Sequence, residues 1–177
     1  MFEEYLQDAA AFLSEAIQES KEGTAREARR FYRASAFYAY AAIEAFVNHL
    51  GDTFSKAATM QRHEICFLND TSLSYRANKG FIEKTEYHKL DEKLRFLIGR
   101  FGSDFDFESR AWVKLKEFKK FRDSLVHPRQ DDDQTSLPVY EENVKSGLRA
   151  VIEVMNHVQK SVLKRPLRKR LLELIPD

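Results

Sequence analysis

Glycine and proline punctuate this chain rather than interrupt it: its 6 Gly and 4 Pro fall mostly between stretches of helical apolar spacing. That distribution favours long helices over a turn-rich β fold and predicts an all-α class of about five to six main helices plus a short C-terminal one. At 177 residues the chain has the length of one domain with a real core. With 43% hydrophobic and 32% charged residues it is too apolar to remain disordered.

The stripes can be read in order. Phe2, Tyr5, Leu6, Ala9, Leu13, Ala16 and Ile17 recur at helical spacing up to Gly23. Thr24-Ala25-Arg26-Glu27 is a capping box, which opens a second helix expected to run to Leu50 with Gly51 as its stop, about 39 Å long. From Ala34 onward that helix is apolar nearly all round, so it is expected at the centre of the core or against a second subunit. A less regular helix is expected over Phe54 to Leu68, and a polar loop over Asn69 to Gly80. Tyr87, Leu90, Leu94 and Leu97 signal another helix stopped by Gly99. The next is expected from about Glu108 to Val126, where Pro128 forces His127 out of helical angles, with acidic residues Asp131, Asp132 and Asp133 after it. Val144, Leu148, Val151, Met155, Val158 and Val162 form the cleanest stripe, ending near Pro166, and a basic amphipathic tail covers Leu167 to Ile175.

Several classes of function are excluded by what is missing. The single cysteine, Cys66, has no partner for an internal disulfide and no metal-binding companion, and is expected as a buried filler. His49, His63, His88 and His157 lack metal-ligand spacing, and His63-Glu64 has no later histidine, so no metal or cofactor is expected. Glycine-rich nucleotide loops and nucleophile elbows are absent. No apolar run of roughly 18 residues and no leader-like start is present, which predicts a cytoplasmic protein without a membrane partner. A formal net charge of +1 rules out a global basic field, so any contact with nucleic acid has to be local.

One helix carries a residue that its pattern does not explain. Ala111, Leu115, Phe118 and Leu125 form its apolar stripe, and Arg122 fills the remaining position. A buried unpaired guanidinium is costly, so Arg122 should face a cavity, an anion or a subunit interface, or else snorkel to solvent past Phe118 and Phe121. Asp123 and His127 are four apart on one helical face, where a carboxylate can orient an imidazole and favour its protonated form. Arg122 and His127 are five apart, about 140° around a regular helix, and converge on one ligand only if the helix end bends or two copies combine.

The run Arg122-Asp123-Ser124-Leu125-Val126-His127 resembles the signature of the HEPN superfamily: Arg, then Asn or Asp, three further residues, then His at a helix end. The long upstream helix, Tyr32-Arg33-Ala34-Ser35-Ala36 through Ala42-Ile43-Glu44-Ala45-Phe46-Val47-Asn48, and the closing helix after the motif are similar as well, so the resemblance spans roughly Thr24 to Leu163. It implies an up-and-down helical bundle and a metal-independent endoribonuclease that works as a homodimer, with two motifs sharing one composite cleft. By that resemblance His127 would be general base or acid, Arg122 would stabilise charge growing on the phosphoryl oxygens, and Asp123 would orient His127. The setting it implies is toxin–antitoxin, phage defence or stress, with RNA as substrate and, as a toxin, a nucleotidyltransferase-like antitoxin as partner. A relative that keeps the fold but not the chemistry would be a dimerisation or nucleotide- or RNA-binding module.

Weaker signals remain. Glu44 and Asn48, one turn apart on the long helix, fit either a polar pocket near the motif or a helix-end hydrogen-bond network. Arg129, Lys164, Arg165 and Arg168 are candidates to hold RNA phosphates. In the C-terminal basic run, with Lys160, Lys169 and Arg170, the alternatives are a solvated face and a favourable match to the helix dipole.

Overall fold

A computed structural model describes residues 1–56, 59–102, 105–127 and 135–176. Pro128, Arg129 and Asp131 to Asp133 lie outside these. The described residues form helices α1 (Phe2–Glu22), α2 (Ala25–Phe54), α3 (Arg62–Leu68), α4 (Leu90–Phe101), α5 (Arg110–Val126), α6 (Leu137–Leu163) and α7 (Lys169–Leu172), with strands β1 (Thr71–Arg76) and β2 (Gly80–Thr85) between α3 and α4. The chain is therefore broadly all-α, with one two-stranded sheet added.

Helix α2 is central. It packs on α1, α3, α4, α5 and α6, and it buries Tyr32, Ala36, Ala39, Tyr40, Ile43, Phe46, Val47 and Leu50. Most of its apolar side chains are therefore buried within the chain, while Phe37 stays 38% exposed. The Thr24 hydroxyl accepts the Glu27 N–H at 3.2 Å, one half of the expected capping box, while the Glu27 carboxylate takes Arg30 at 3.3 Å instead. The cleanest stripe behaves as read: Val144, Leu148, Val151, Met155 and Val158 are fully buried along α6. Gly147 on the same helix lets α5 approach, because a Cβ there would overlap the Phe118 ring. Leu167 and Leu171 anchor the C-terminal tail in the core.

Three expectations are corrected. Gly51 does not stop α2; the helix continues to Phe54 because Gly51 is buried, with Leu68 beside it, rather than turned out as a cap. Gly99 likewise sits inside α4, which ends at Gly102. The segment expected as a helix from Phe54 and then a loop from Asn69 is instead the short α3 followed by an antiparallel hairpin, with Tyr75 paired to Phe81 and Leu73 to Glu83. Asp70 opens the hairpin in the left-handed region (φ 55°), and Gly80 closes it at φ 70°. The Asp70 carboxylate accepts the His88 N–H at 2.9 Å and the ammonium of buried Lys93 at 2.6 Å. Burial works to raise the Asp70 carboxyl, but these donors outweigh it and hold it below its ordinary range. No residue of either strand is fully buried: Leu73 and Tyr75 alternate with Ser72, Ser74 and Arg76 along β1, but both are exposed, and so short a run does not stand out from a polar loop.

Candidate functional site

The site is built where α5 ends against the middle of α2. Ser109 caps the start of α5 by accepting the Trp112 N–H, and Trp112, Leu115 and Phe118 seat the helix on the core. One turn after Phe118, the same face presents Arg122 to α2. Its guanidinium lies 4.0 Å from the centroid of the Tyr40 ring, a cation–π contact. Nη1 pairs with Asp123 Oδ1 at 3.1 Å, and Nη2 is 3.9 Å from Glu44 Oε1. Nε is buried without a hydrogen-bond partner among the described residues.

Arg122 therefore meets its anions inside the chain. Its side chain is 22% exposed, while Glu44 and Asp123 are about half exposed, so the cation sits deeper than the carboxylates that flank it. Burial raises the Glu44 carboxyl, with Arg122 and Lys119 opposing. Burial pushes the Tyr40 hydroxyl up to about 12, helped by Glu44 and opposed by Arg122. The arrangement is a half-buried guanidinium fork with one firm partner, one loose partner and an aromatic floor, and such a fork can exchange its loose partner for a phosphate.

His127 is the C-cap of α5, at φ −122° and ψ 67°, with its backbone N–H on the Asp123 carbonyl at 3.1 Å. It is exposed, and so is Val126 before it. Among the described residues no hydrogen bond or ion pair joins the His127 side chain to Asp123 or Arg122; the Asp123 carboxylate is taken by Arg122 instead. The structure thus brings Arg122, Asp123 and Glu44 together and leaves His127 exposed at the helix end, apart from that cluster. Asn48, a turn beyond Glu44, is exposed and takes no part in the cluster. Lys164 donates to the Ser161 carbonyl at 2.7 Å, and Arg168 pairs with Glu3 at 3.2 Å, far along the chain from α5; Arg165 is exposed beside Pro166. Arg129 lies outside the described residues.

Spacing does not single out two further features. Tyr40 is one of several aromatics on α2, and only the fold shows it beneath Arg122. On α5, six cations stand against Glu117 and Asp123 alone, so the helix carries net +4 in a chain of net +1. Lys116, Lys119 and Lys120 line a cleft of about 300 Å³ between α4 and α5, whose lining also includes Tyr40, Trp112 and Asp123. The signal available in the sequence was charge density along one helix.

No family model, curated protein or solved structure matches the chain. What the fold defines is a mostly helical protein with a basic helix ending in an arginine–aspartate pair and an exposed histidine. No described helix is long and apolar enough to cross a membrane, and no group of three or more potential metal ligands lies among the described residues.

Proposed function

We propose that the chain is a HEPN-type endoribonuclease, a helical-bundle enzyme that cleaves RNA without a metal from a homodimeric composite site, in a toxin–antitoxin or phage-defence or stress setting. The observation that carries the reading is the end of α5: Arg122 is half-buried on Tyr40 with its fork partly free, and His127 stands exposed one turn on. In the reaction, the ribose 2′-oxygen attacks the adjacent phosphorus, forming an O2′–P bond as the P–O5′ bond breaks. One general base takes the 2′-hydroxyl proton and one general acid protonates the departing 5′-oxygen, leaving a cyclic phosphate and a 5′-hydroxyl. His127 fills the base or acid role, since imidazole exchanges protons near neutral pH. Arg122 stabilises charge on the equatorial oxygens after releasing Glu44, its longer contact.

Each α5 end offers one histidine, His127, whereas the reaction uses a base and an acid. A second copy that faces its α5 end to the first would supply the other, and Val126 and His127, both exposed, are the described residues that would meet it. The pairing of Arg122 with two carboxylates favours a second reading, a HEPN-like dimerisation or nucleotide- or RNA-binding module that keeps the arginine without cleaving.

The test is incubation of metal-free protein with a labelled mixed-sequence RNA. Wild type is expected to leave cyclic phosphate ends, and His127→Ala to be slower by about 10²–10⁴-fold. Equal product from the two proteins would end the catalytic reading.

A further inference from the structure

We propose that the cleft between α4 and α5 is the seat of a single-stranded RNA segment, with its phosphates on Lys116, Lys119 and Lys120 and one unstacked base against the apolar wall. The proposal rests on the ribonuclease reading for the identity of the polyanion, and on geometry for everything else. Lys116, Lys119, Lys120 and Asp123 follow one another at intervals that place them on one face of α5, so the lysines lead directly to the Arg122–Asp123 pair. Among the described residues none of the three lysines has a carboxylate within 4.0 Å, unlike Lys114, which is held by Glu117 at 2.8 Å. Two acidic residues line the same cleft, Asp91 and Asp123, and the second is already neutralised by Arg122. Three unpaired ammonium groups therefore face one unpaired carboxylate.

Beneath them the wall is apolar. Leu90, half-buried at the edge, offers the open apolar surface of the cleft, and Tyr40, Leu94, Trp112 and Leu115, each at most 5% exposed, close its floor. A groove with cations on its lip and rings and aliphatic carbon in its wall suits a strand whose backbone is charged and whose bases are flat and apolar on their faces. A volume of about 300 Å³ has room for a splayed base, and single strands offer unstacked bases where a duplex does not. An acidic protein would use the lysines but would leave the apolar wall empty.

The experiment measures binding of a short 2′-O-methyl oligonucleotide, which lacks the attacking hydroxyl and so reports binding apart from cleavage. Changing Lys116, Lys119 and Lys120 together to Gln is expected to weaken binding at least about tenfold at low salt. It should also make the log–log salt dependence shallower by about 2, at roughly 0.7 per phosphate contact. The matched change of Lys164, Arg165 and Arg168 to Gln should stay within about twofold of wild type, and a duplex of the same sequence should bind more weakly than the single strand. Circular dichroism of each variant verifies folding. The proposal is overturned if wild type binds no oligonucleotide, if the α5 variant binds like wild type, if the tail variant loses as much, or if duplex binds as tightly. Lysine-dependent binding without any cyclic phosphate product would leave this proposal standing and remove the nuclease reading alone.

Discussion

Helix α5 and the C-terminal tail are both basic runs, and the fold treats them in opposite ways. In the tail, Glu3 from the start of α1 pairs with both Arg168 and Arg170, Lys169 is 3.5 Å from Glu173, and Lys164 donates to a backbone carbonyl. The tail's cations hold the tail to the body, while Leu167 and Leu171 hold it to the core. On α5, Lys116, Lys119 and Lys120 line a cleft without ion-pair partners among the described residues, and the helix ends in the Arg122 cluster. Counting charge along a sequence cannot separate these cases. What separates them is whether the fold delivers a carboxylate, and in the tail it comes from Glu3, more than 160 positions away.

The α5 side of the contrast depends on how closely that helix lies on α6, and Gly147 sets the approach. A methyl group there overlaps the ring of buried Phe118, so Gly147→Ala forces α5 outward or Phe118 off its rotamer. Overpacking of this kind costs about 1–3 kcal/mol, and the better helix propensity of alanine returns at most about 1 kcal/mol. The net expectation is a Tm lower by roughly 3–6 °C, with oligonucleotide affinity reduced as the lysine cleft shifts. If α5 is instead indifferent to α6, thermal denaturation will show alanine as neutral or stabilising.

These same contacts show what the sequence could tell. The stripe from Val144 to Val162 and the cap at Thr24 are legible because they are local: periodicity and a side-chain cap need no knowledge of the fold. Arg122 was legible as an anomaly, since a cation at a core position demands an explanation, and its partner Glu44 was legible as a polar residue on an apolar helix. The hairpin is not, because neither strand buries a face and the residues that lead into β1 and into β2, Asp70 and Gly80, act through backbone angles. Helix ends at Gly51 and Gly99 misled for the converse reason: a glycine ends a helix only where the chain turns there, and at Gly51 the glycine lies buried beside Leu68. The Asp123 to His127 pairing was read from spacing alone, and a nearer cation, Arg122, holds the carboxylate.

If neutralisation by Glu3 is what silences the tail, removing it should wake the tail. Glu3→Gln frees Arg168 and Arg170 and is expected to raise oligonucleotide affinity about two- to fivefold at low salt, with the salt dependence steeper by roughly 1. Helix α1 loses a favourable charge in its first turn, about 0.3–1 kcal/mol. Unchanged affinity and slope would mean that position, and not pairing, keeps the tail out of RNA binding, and the contrast with α5 would need another basis.

The smallest effect concerns Glu44, the loose partner of Arg122. Burial raises its carboxyl, so the folded state binds a proton more readily than the unfolded chain does. A group of that sign imposes no penalty below its unfolded value and an increasing one as pH rises through the raised folded value. Glu44→Gln removes the titration, so the variant should gain on wild type as pH rises above the ordinary glutamate range, and the gain should level off once pH passes the raised folded value. Because the side chain is 52% exposed, solvent screens the effect and the gain should stay under about 0.5 kcal/mol. The same change frees Nη2 of Arg122, so RNA affinity should rise slightly while the Arg122–Asp123 pair persists. A wild type that instead gains on the variant as pH rises would show that attraction to Arg122 outweighs burial at Glu44, and Arg122 would then be held by two firm carboxylates with no arm of its fork free for phosphate.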